Sequence, residues 1–136
     1  VRKQQLEEYV TFLGPQEKGE MPLLYQQADI FLFTSIWQEP FGRVLIEAMA
    51  SGTSVVGSTV GGAAEILVNN ENSLTFPPND DEALAAQIVR LIRSPELRQQ
   101  LAEEGRRVAL EQFDLQRMVQ EIEFYLKRVI RRADAA

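Results

Sequence analysis

The chain has 136 residues, which is room for one domain, since domains hold roughly 100–200 residues. Acidic residues outnumber basic ones 20 to 14, for a formal net charge of −6. This balance argues against nucleic acid as a partner, because phosphate binding favours clustered positive charge. Cysteine and histidine are both absent, which excludes disulfides, a thiolate nucleophile, a Ser-His-Asp triad and zinc sites built from these residues.

No segment has the pattern of a targeting sequence or a membrane span. Residues 1–9 are too polar for a signal peptide. The most apolar stretch, residues 30–37, is shorter than the roughly 20 residues that a spanning helix needs. We therefore expect no transmembrane segment and a cytoplasmic location, with which the lack of cysteine is compatible.

Four short runs rich in β-branched and aromatic residues are typical of strands: residues 9–13, 30–34, 54–57 and 73–76. Gly14-Pro15 ends the first run, and Gly61-Gly62 is interpreted as a tight turn in preference to a ligand contact. The run from Ile30 to Thr34 is apolar on both faces, which indicates a strand covered on both sides, as in a parallel sheet.

Helical segments alternate with these strands. One follows Pro22, one runs from about Phe41 to Gly52, and a short one covers residues 63–67. The C-terminal third is predicted to be helical, with N-caps at Asn79, Ser94 and Asp114. Alternating strands and helices predict a single α/β domain over residues 1–136, with a mostly parallel sheet flanked by helices.

The segment most suggestive of chemistry is residues 35–52. Glu39 lies in a loop after a strand, Gly42 stands at the mouth of a helix, and Glu47 lies further along that helix. The backbone N–H groups of residues 41–44 would point out of the helix start, where the helix dipole favours an anion such as a diphosphate. Gly42 has no side chain, so a ligand would be able to approach its backbone.

Two carboxylates beside an anion site suit the hydroxyl groups of a sugar and a ribose, because a carboxylate accepts hydrogen bonds. The alternative is that Glu39 lies in solvent and Glu47 forms an ion pair with Arg43, four residues earlier. The helix around Glu47 is apolar nearly all round, which favours a buried or cleft position in which the carboxylate needs a partner.

These residues resemble the E-x7-E motif of the retaining GT-B glycosyltransferases known as group 1, or family 4. Seven residues separate the glutamates in Glu39-Pro-Phe-Gly42 and Glu47-Ala-Met-Ala-Ser-Gly52. The resemblance covers nearly the whole chain, because further segments recur in that family in the same order: Phe12-Leu-Gly14, Leu24-Tyr-Gln-Gln-Ala-Asp29, Gly61-Gly62-Ala-Ala-Glu65 and Phe76-Pro-Pro78.

The resemblance implies a Rossmann-like fold, the C-terminal, nucleotide-sugar-binding domain of a GT-B enzyme. Glu39 would be the catalytic residue, contacting hydroxyls of the donor sugar. The backbone at Phe41 and Gly42 would lie against that sugar, and the amides of Arg43 and Val44 would hold the distal phosphate.

The same resemblance assigns Glu47 to the nucleotide ribose and places the loop Gly14, Pro15 and Gln16 near the base. Arg43 stands where family members usually have a small or aliphatic residue, and it either adds charge near the diphosphate or pairs with Glu47. Catalysis in the family needs no metal or other cofactor, and the donor phosphate helps to take the acceptor proton.

The family's domain opens with two further strand–helix units, and an acceptor-binding N-terminal domain precedes it. The resemblance therefore implies a domain that is incomplete at its N-terminal side, with that missing domain as a partner. Residues 10–13 would then lack a neighbouring strand, and we expect an inactive fragment whose exposed sheet edges favour a homo-oligomer.

Two readings from other classes stay open. The chain is alternatively a non-catalytic nucleotide- or phosphosugar-binding module, or a self-assembling structural fragment. Nothing in the sequence specifies the donor's base or sugar, or the acceptor.

Overall fold

A computed structural model of the protein describes residues 2–133. Two short 3-10 helices, Arg2–Gln4 and Glu7–Tyr9, open this range. Three strands and six α-helices follow, in the order α1 Met21–Gln27, β1 Ile30–Phe33, α2 Arg43–Ala50, β2 Ser54–Ser58, α3 Ala63–Ile66, β3 Leu74–Phe76, α4 Asp81–Arg93, α5 Pro95–Gln112 and α6 Leu115–Ala133.

The strands form one parallel sheet in the order β1-β2-β3. Ile30 pairs with Ser54 at the start of β1, and Val56 pairs with Leu74 at the start of β3. Every residue of the central strand β2 is buried, as expected for a strand covered on both faces. The predicted parallel α/β architecture is confirmed.

Helices cover both faces of this sheet. Val55 and Val56, neighbours on β2, belong to two separate buried clusters because successive side chains of a strand point to opposite faces. One cluster includes Leu45, Met49, Ala63, Ile66 and Val108, from α2, α3 and α5. The other includes Leu74, Phe76, Leu91 and Leu101, from β3, α4 and α5.

The prediction of a strand at residues 9–13 is wrong. Glu7–Tyr9 is a 3-10 turn, and residues 10–14 have no regular structure. Tyr9 and Phe12 are 82% and 83% exposed. A strand must pair its backbone with a neighbour, and within residues 2–133 the sheet ends at β1 and β3 without a strand beside this segment.

Of the three N-cap residues that the sequence predicted, one is wrong. Asp80, not Asn79, caps α4, and its side chain accepts a 2.8 Å hydrogen bond from the backbone N–H of Ala83. Asn79 instead has a φ of 63° and lies in the turn before the cap. Ser94 and Asp114 accept from the backbone N–H three residues later, at 3.2 and 3.0 Å, as predicted.

Helix α6 confirms the predicted last helix but contributes little to the core. Its apolar residues with helical spacing are between 45% and 67% exposed: Leu115, Met118, Val119, Ile122, Leu126 and Val129. Among the described residues, no helix combines the length and the apolar character needed to cross a membrane.

Candidate functional site

The loop between β1 and α2 ends in a glycine that its backbone conformation requires. Gly42, the N-cap of α2, has φ 69° and ψ 46°, in the left-handed region that side chains disfavour. Its carbonyl accepts from the backbone N–H of Leu45 at 2.9 Å. Gly42 is itself buried in the structure. The observed role of this glycine is therefore to begin the helix, and contact with a ligand stays a prediction.

Gly61 and Gly62, in the turn after β2, contact the backbone of the loop between β1 and α2. The backbone N–H of Gly62 donates to the carbonyl of Glu39 at 2.7 Å. A Cβ added at Gly61 would lie 2.2 Å from that carbonyl oxygen, and one added at Gly62 would lie 2.5 Å from the carbonyl oxygen of Pro40. The two glycines thus form the predicted turn, and they allow two backbone segments to touch.

Two further bonds fix Glu39 and its loop. The indole Nε1 of Trp37 donates to Oε1 of Glu39 at 3.2 Å. The buried hydroxyl of Ser58, at the end of β2, donates to the carbonyl of Ser35 at 2.5 Å. Glu39 is half-buried rather than free in solvent.

Glu47 has a partner on each carboxylate oxygen. Nε of Arg43 donates to Oε1 at 3.0 Å, and the hydroxyl of Tyr25 donates to Oε2 at 3.3 Å. The Glu47 side chain is 38% exposed, so it is half-buried, as the apolar helix predicted. Arg43 adopts the predicted ion pair, and its side chain is 71% exposed.

Burial and the negative charge of Glu47 both raise the pKa of Tyr25 above its ordinary value, and Arg43 partly offsets the rise. The Tyr25 hydroxyl is therefore protonated at neutral pH. It serves as a hydrogen-bond donor to the carboxylate.

Glu47 lies beside a cleft of about 460 Å³ between α1 and α2, which we call the Glu47 cleft. Its lining residues are Lys18, Met21, Pro22, Tyr25, Arg43, Val44, Glu47, Ala50 and Ser51. Three predicted site residues, Arg43, Val44 and Glu47, thus come together here. Sequence reasoning missed Lys18 and Tyr25, because no local pattern links them to Glu47.

The other predicted residues do not line the Glu47 cleft. Phe41 is 52% exposed, and its ring packs edge-on against Phe113, with centroids 5.9 Å apart. Gly14, Pro15 and Gln16 are exposed in the irregular segment before α1. The side-chain amide of Gln16 donates within this segment, to the carbonyl of Leu13 at 2.8 Å. Their predicted contact with a base stays a prediction.

No group of three or more acidic side chains with metal-ligating geometry occurs in the described part of the chain. The carboxylates of the site, Glu39 and Glu47, are instead each held by a hydrogen-bond donor. Metal independence stays a prediction.

A family model described as "Glycosyl transferases group 1" matches residues 1–108. The chain belongs to this glycosyltransferase family. Solved structures agree with this membership. The chain is 32% identical to sucrose-phosphate synthase from Thermosynechococcus elongatus, with a TM-score of 0.89 over 96% of the chain. It is 31% identical to Anabaena HepE in complex with UDP-glucose, with a TM-score of 0.87 over 93% of the chain. The fold is accordingly the Rossmann-like domain of GT-B enzymes.

Curated relatives include the N-acetyl-alpha-D-glucosaminyl L-malate synthase of Bacillus anthracis, 31% identical over 96% of the chain. Spore coat protein SA of Bacillus subtilis is 33% identical over 85% of the chain. This glycosyltransferase chain covers 34% and 31% of those two proteins, and 32% and 34% of the two solved structures. It thus spans about a third of the length of the relatives it matches.

Proposed function

We propose that the chain is the donor-binding part of a retaining glycosyltransferase, which moves a glycosyl group from a nucleotide diphosphate sugar to an acceptor. The observation that carries the proposal is the half-buried Glu47 carboxylate on the Glu47 cleft, next to Arg43 and Val44 at the start of α2. The likeness to HepE in complex with UDP-glucose supports a nucleotide sugar as the ligand.

Glu47 binds the ribose in this proposal, since a carboxylate accepts hydrogen bonds from hydroxyls. The amides of Arg43 and Val44 hold the distal phosphate, because the first N–H groups of a helix have no partner within it and the dipole favours an anion. Gly14, Pro15 and Gln16 lie near the base.

On the sugar side, Glu39 is the catalytic residue and binds hydroxyls of the donor sugar, while the backbone at Phe41 and Gly42 lies against the sugar. The bonds from Trp37 and Gly62 hold Glu39 in a defined place, as a group that positions a substrate requires.

The reaction needs no metal in this proposal. The isolated chain does not catalyse transfer, because stabilising a diphosphate leaving group requires positive charge. Lys18 and Arg43 are the cations on the Glu47 cleft, and Arg43 is paired with Glu47. Transfer by the full protein that persists in excess EDTA supports metal independence, and loss of transfer with recovery on adding Mg²⁺ contradicts it.

Calorimetric titration with UDP and with pyrophosphate tests the site. Glu47→Ala should weaken UDP binding about tenfold or more, since a hydrogen bond to a charged group is lost, and should leave pyrophosphate binding unchanged. Glu71→Ala, an exposed glutamate elsewhere, is the matched control. Equal losses for UDP and pyrophosphate would contradict the assignment of Glu47 to the ribose.

The transfer step has its own test, made on the full chain together with any flanking coding sequence. Release of the nucleotide with formation of a glycosylated product supports an enzyme. Donor binding that survives without any transfer to a panel of acceptors points to a non-catalytic module, and no binding of UDP at millimolar concentration points to a structural fragment.

We further propose that the chain, taken alone, self-associates through its sheet edges, and that the enzyme is cytoplasmic. Within residues 2–133 the edge strands are β1 and β3, and Leu32 on β1 is 40% exposed. Unpaired strand edges favour association with another chain. Light scattering should show a dimer or larger species, and a strict monomer with a cooperative melt would contradict this.

A further inference from the structure

Tyr25 is buried and hydrogen-bonded although its helix, α1, has only seven residues. Its residue is only 4% exposed. Its ring packs edge-on against Phe31, with centroids 5.4 Å apart and an interplanar angle of 84°. The hydroxyl of Thr53, the residue just before β2, donates to the backbone carbonyl of Tyr25 at 2.6 Å. Helix α1 is therefore anchored to the sheet at the residue that reaches Glu47.

The two donors to Glu47 differ in how well they are fixed. Arg43 lies on the same helix, but its side chain is 71% exposed. Exposed ion pairs contribute little, because solvent screens them and a long side chain loses entropy. Tyr25 comes from a different helix, and its ring is packed in the core. Tyr25 is thus the better fixed of the two donors, although its 3.3 Å bond is longer than the 3.0 Å bond from Arg43.

The hydrogen-bond acceptor positions that remain on the Glu47 carboxylate match a pair of hydroxyl groups. An ionised carboxylate has about four acceptor positions on two oxygens. Arg43 occupies one position on Oε1, and Tyr25 occupies one on Oε2. Each oxygen keeps one position for a further donor. Two neighbouring hydroxyls on one ring present two donors side by side, as ribose does.

We propose that Tyr25 is a positioning residue that orients Glu47 so that both carboxylate oxygens receive the vicinal hydroxyls of the ribose. The inference rests on the proposed function, in which Glu47 binds the ribose. It predicts that loss of one hydroxyl from Tyr25 weakens ligands that have both ribose hydroxyls, with little effect on ligands that lack them.

The test compares Tyr25→Phe, Glu47→Ala and the double variant in the full chain, with any flanking coding sequence included. Calorimetry measures the affinity for UDP, for 2′-deoxy-UDP and for pyrophosphate. Tyr25→Phe keeps the packed ring and removes one hydrogen bond, so UDP affinity should fall about three- to tenfold. The loss for 2′-deoxy-UDP should be smaller, and pyrophosphate affinity should not change.

The double variant separates positioning from packing. If Tyr25 acts through Glu47, adding Tyr25→Phe to Glu47→Ala should cause no further loss of UDP affinity. Tyr125→Phe, a tyrosine that is 63% exposed on α6, is the matched control and should bind like the parent chain.

The outcomes distinguish the inference from the proposed function. If Glu47→Ala loses UDP affinity while Tyr25→Phe does not, the positioning role is overturned and the ribose role of Glu47 stands. If Tyr25→Phe weakens UDP and pyrophosphate equally, its role is only structural and the inference is also overturned. If Glu47→Ala binds UDP like the parent chain, the proposed function fails, and the inference fails with it.

Discussion

The close contact between Gly61 and the Glu39 loop predicts a large effect for a single methyl group. Gly61 has φ +52°, and a Cβ there would lie 2.2 Å from the carbonyl oxygen of Glu39 and 2.7 Å from its backbone nitrogen. Both atoms belong to the backbone, so no side-chain rotation relieves the clash. Gly61→Ala should therefore move the Glu39 loop away from the turn.

The magnitude follows from two effects. A left-handed conformation costs an L-residue roughly 1–2 kcal/mol. The contact is more than about 1 Å inside the ordinary separation of nonbonded atoms, so the loop must shift by a similar distance. That shift breaks the 2.7 Å bond from Gly62 to Glu39, which contributes about 1 kcal/mol. We expect the free energy of unfolding to fall by about 2–3 kcal/mol.

Urea unfolding followed by circular dichroism measures this change, with two alanine variants as controls. Gly14 has φ +70° and nothing within 4 Å of an added Cβ, so Gly14→Ala reports conformational strain alone. Gly19 has open space and no positive φ, so Gly19→Ala should not lower stability. A Gly61→Ala chain as stable as the Gly14→Ala chain would refute the packing of the two loops.

The binding consequence is specific to the sugar. Because Glu39 is proposed to bind the donor sugar, Gly61→Ala should weaken UDP-glucose more than UDP. Equal weakening of the two ligands by calorimetry would mean that the loop does not serve the sugar.

Two further predictions concern single side chains. The pKa of Tyr25 is raised by burial and by Glu47. Just above the ordinary tyrosine pKa of about 10, the Tyr25 hydroxyl therefore ionises in the unfolded chain but not in the folded one. The free energy of unfolding falls as the pH rises from this ordinary value towards the raised pKa of the folded chain. Urea midpoints at about pH 9 to pH 11 should decline less for Tyr25→Phe, and parallel declines would contradict the raised pKa of Tyr25. Asp80→Ala removes the cap of α4 and should cost about 1 kcal/mol. Asp81→Ala, which removes only a first-turn charge, should cost about half as much, and equal thermal shifts would contradict the assignment of the cap.

Sequence patterns sufficed where a local signal and the tertiary environment agree. The alternation of strands and helices indicated a parallel sheet, and β1, β2 and β3 pair in parallel with helices on both faces. The burial predicted for both sides of the Ile30–Thr34 run is wrong in part, because β1 is an edge strand on which Phe33 is buried but Leu32 is 40% exposed. The spacing of Glu39, Gly42 and Glu47 also placed them correctly on a loop, a helix start and a helix interior. Helical and strand periodicities are properties of the backbone, so they are readable before any packing is known.

Sequence patterns gave wrong predictions where a neighbouring segment of the chain decides the conformation. Residues 9–13 have the composition of a strand, but a strand requires a neighbour for its backbone, and none lies beside them in the described range. Asn79 and Asp80 are both good capping residues. The choice between them depended on the path of the turn after β3, in which Asn79 has a positive φ.

The candidate site also combines features that the sequence shows with contacts that only the tertiary structure makes. By itself, the sequence determined where the two carboxylates lie in the fold, because their spacing along one loop and one helix is local. Only the tertiary structure brought Tyr25 to Glu47, 22 residues away, and Gly61-Gly62 to the backbone of Glu39. Such contacts depend on how α1 and the turn after β2 pack around the start of α2, and side-chain packing over that distance leaves no periodic trace in the sequence.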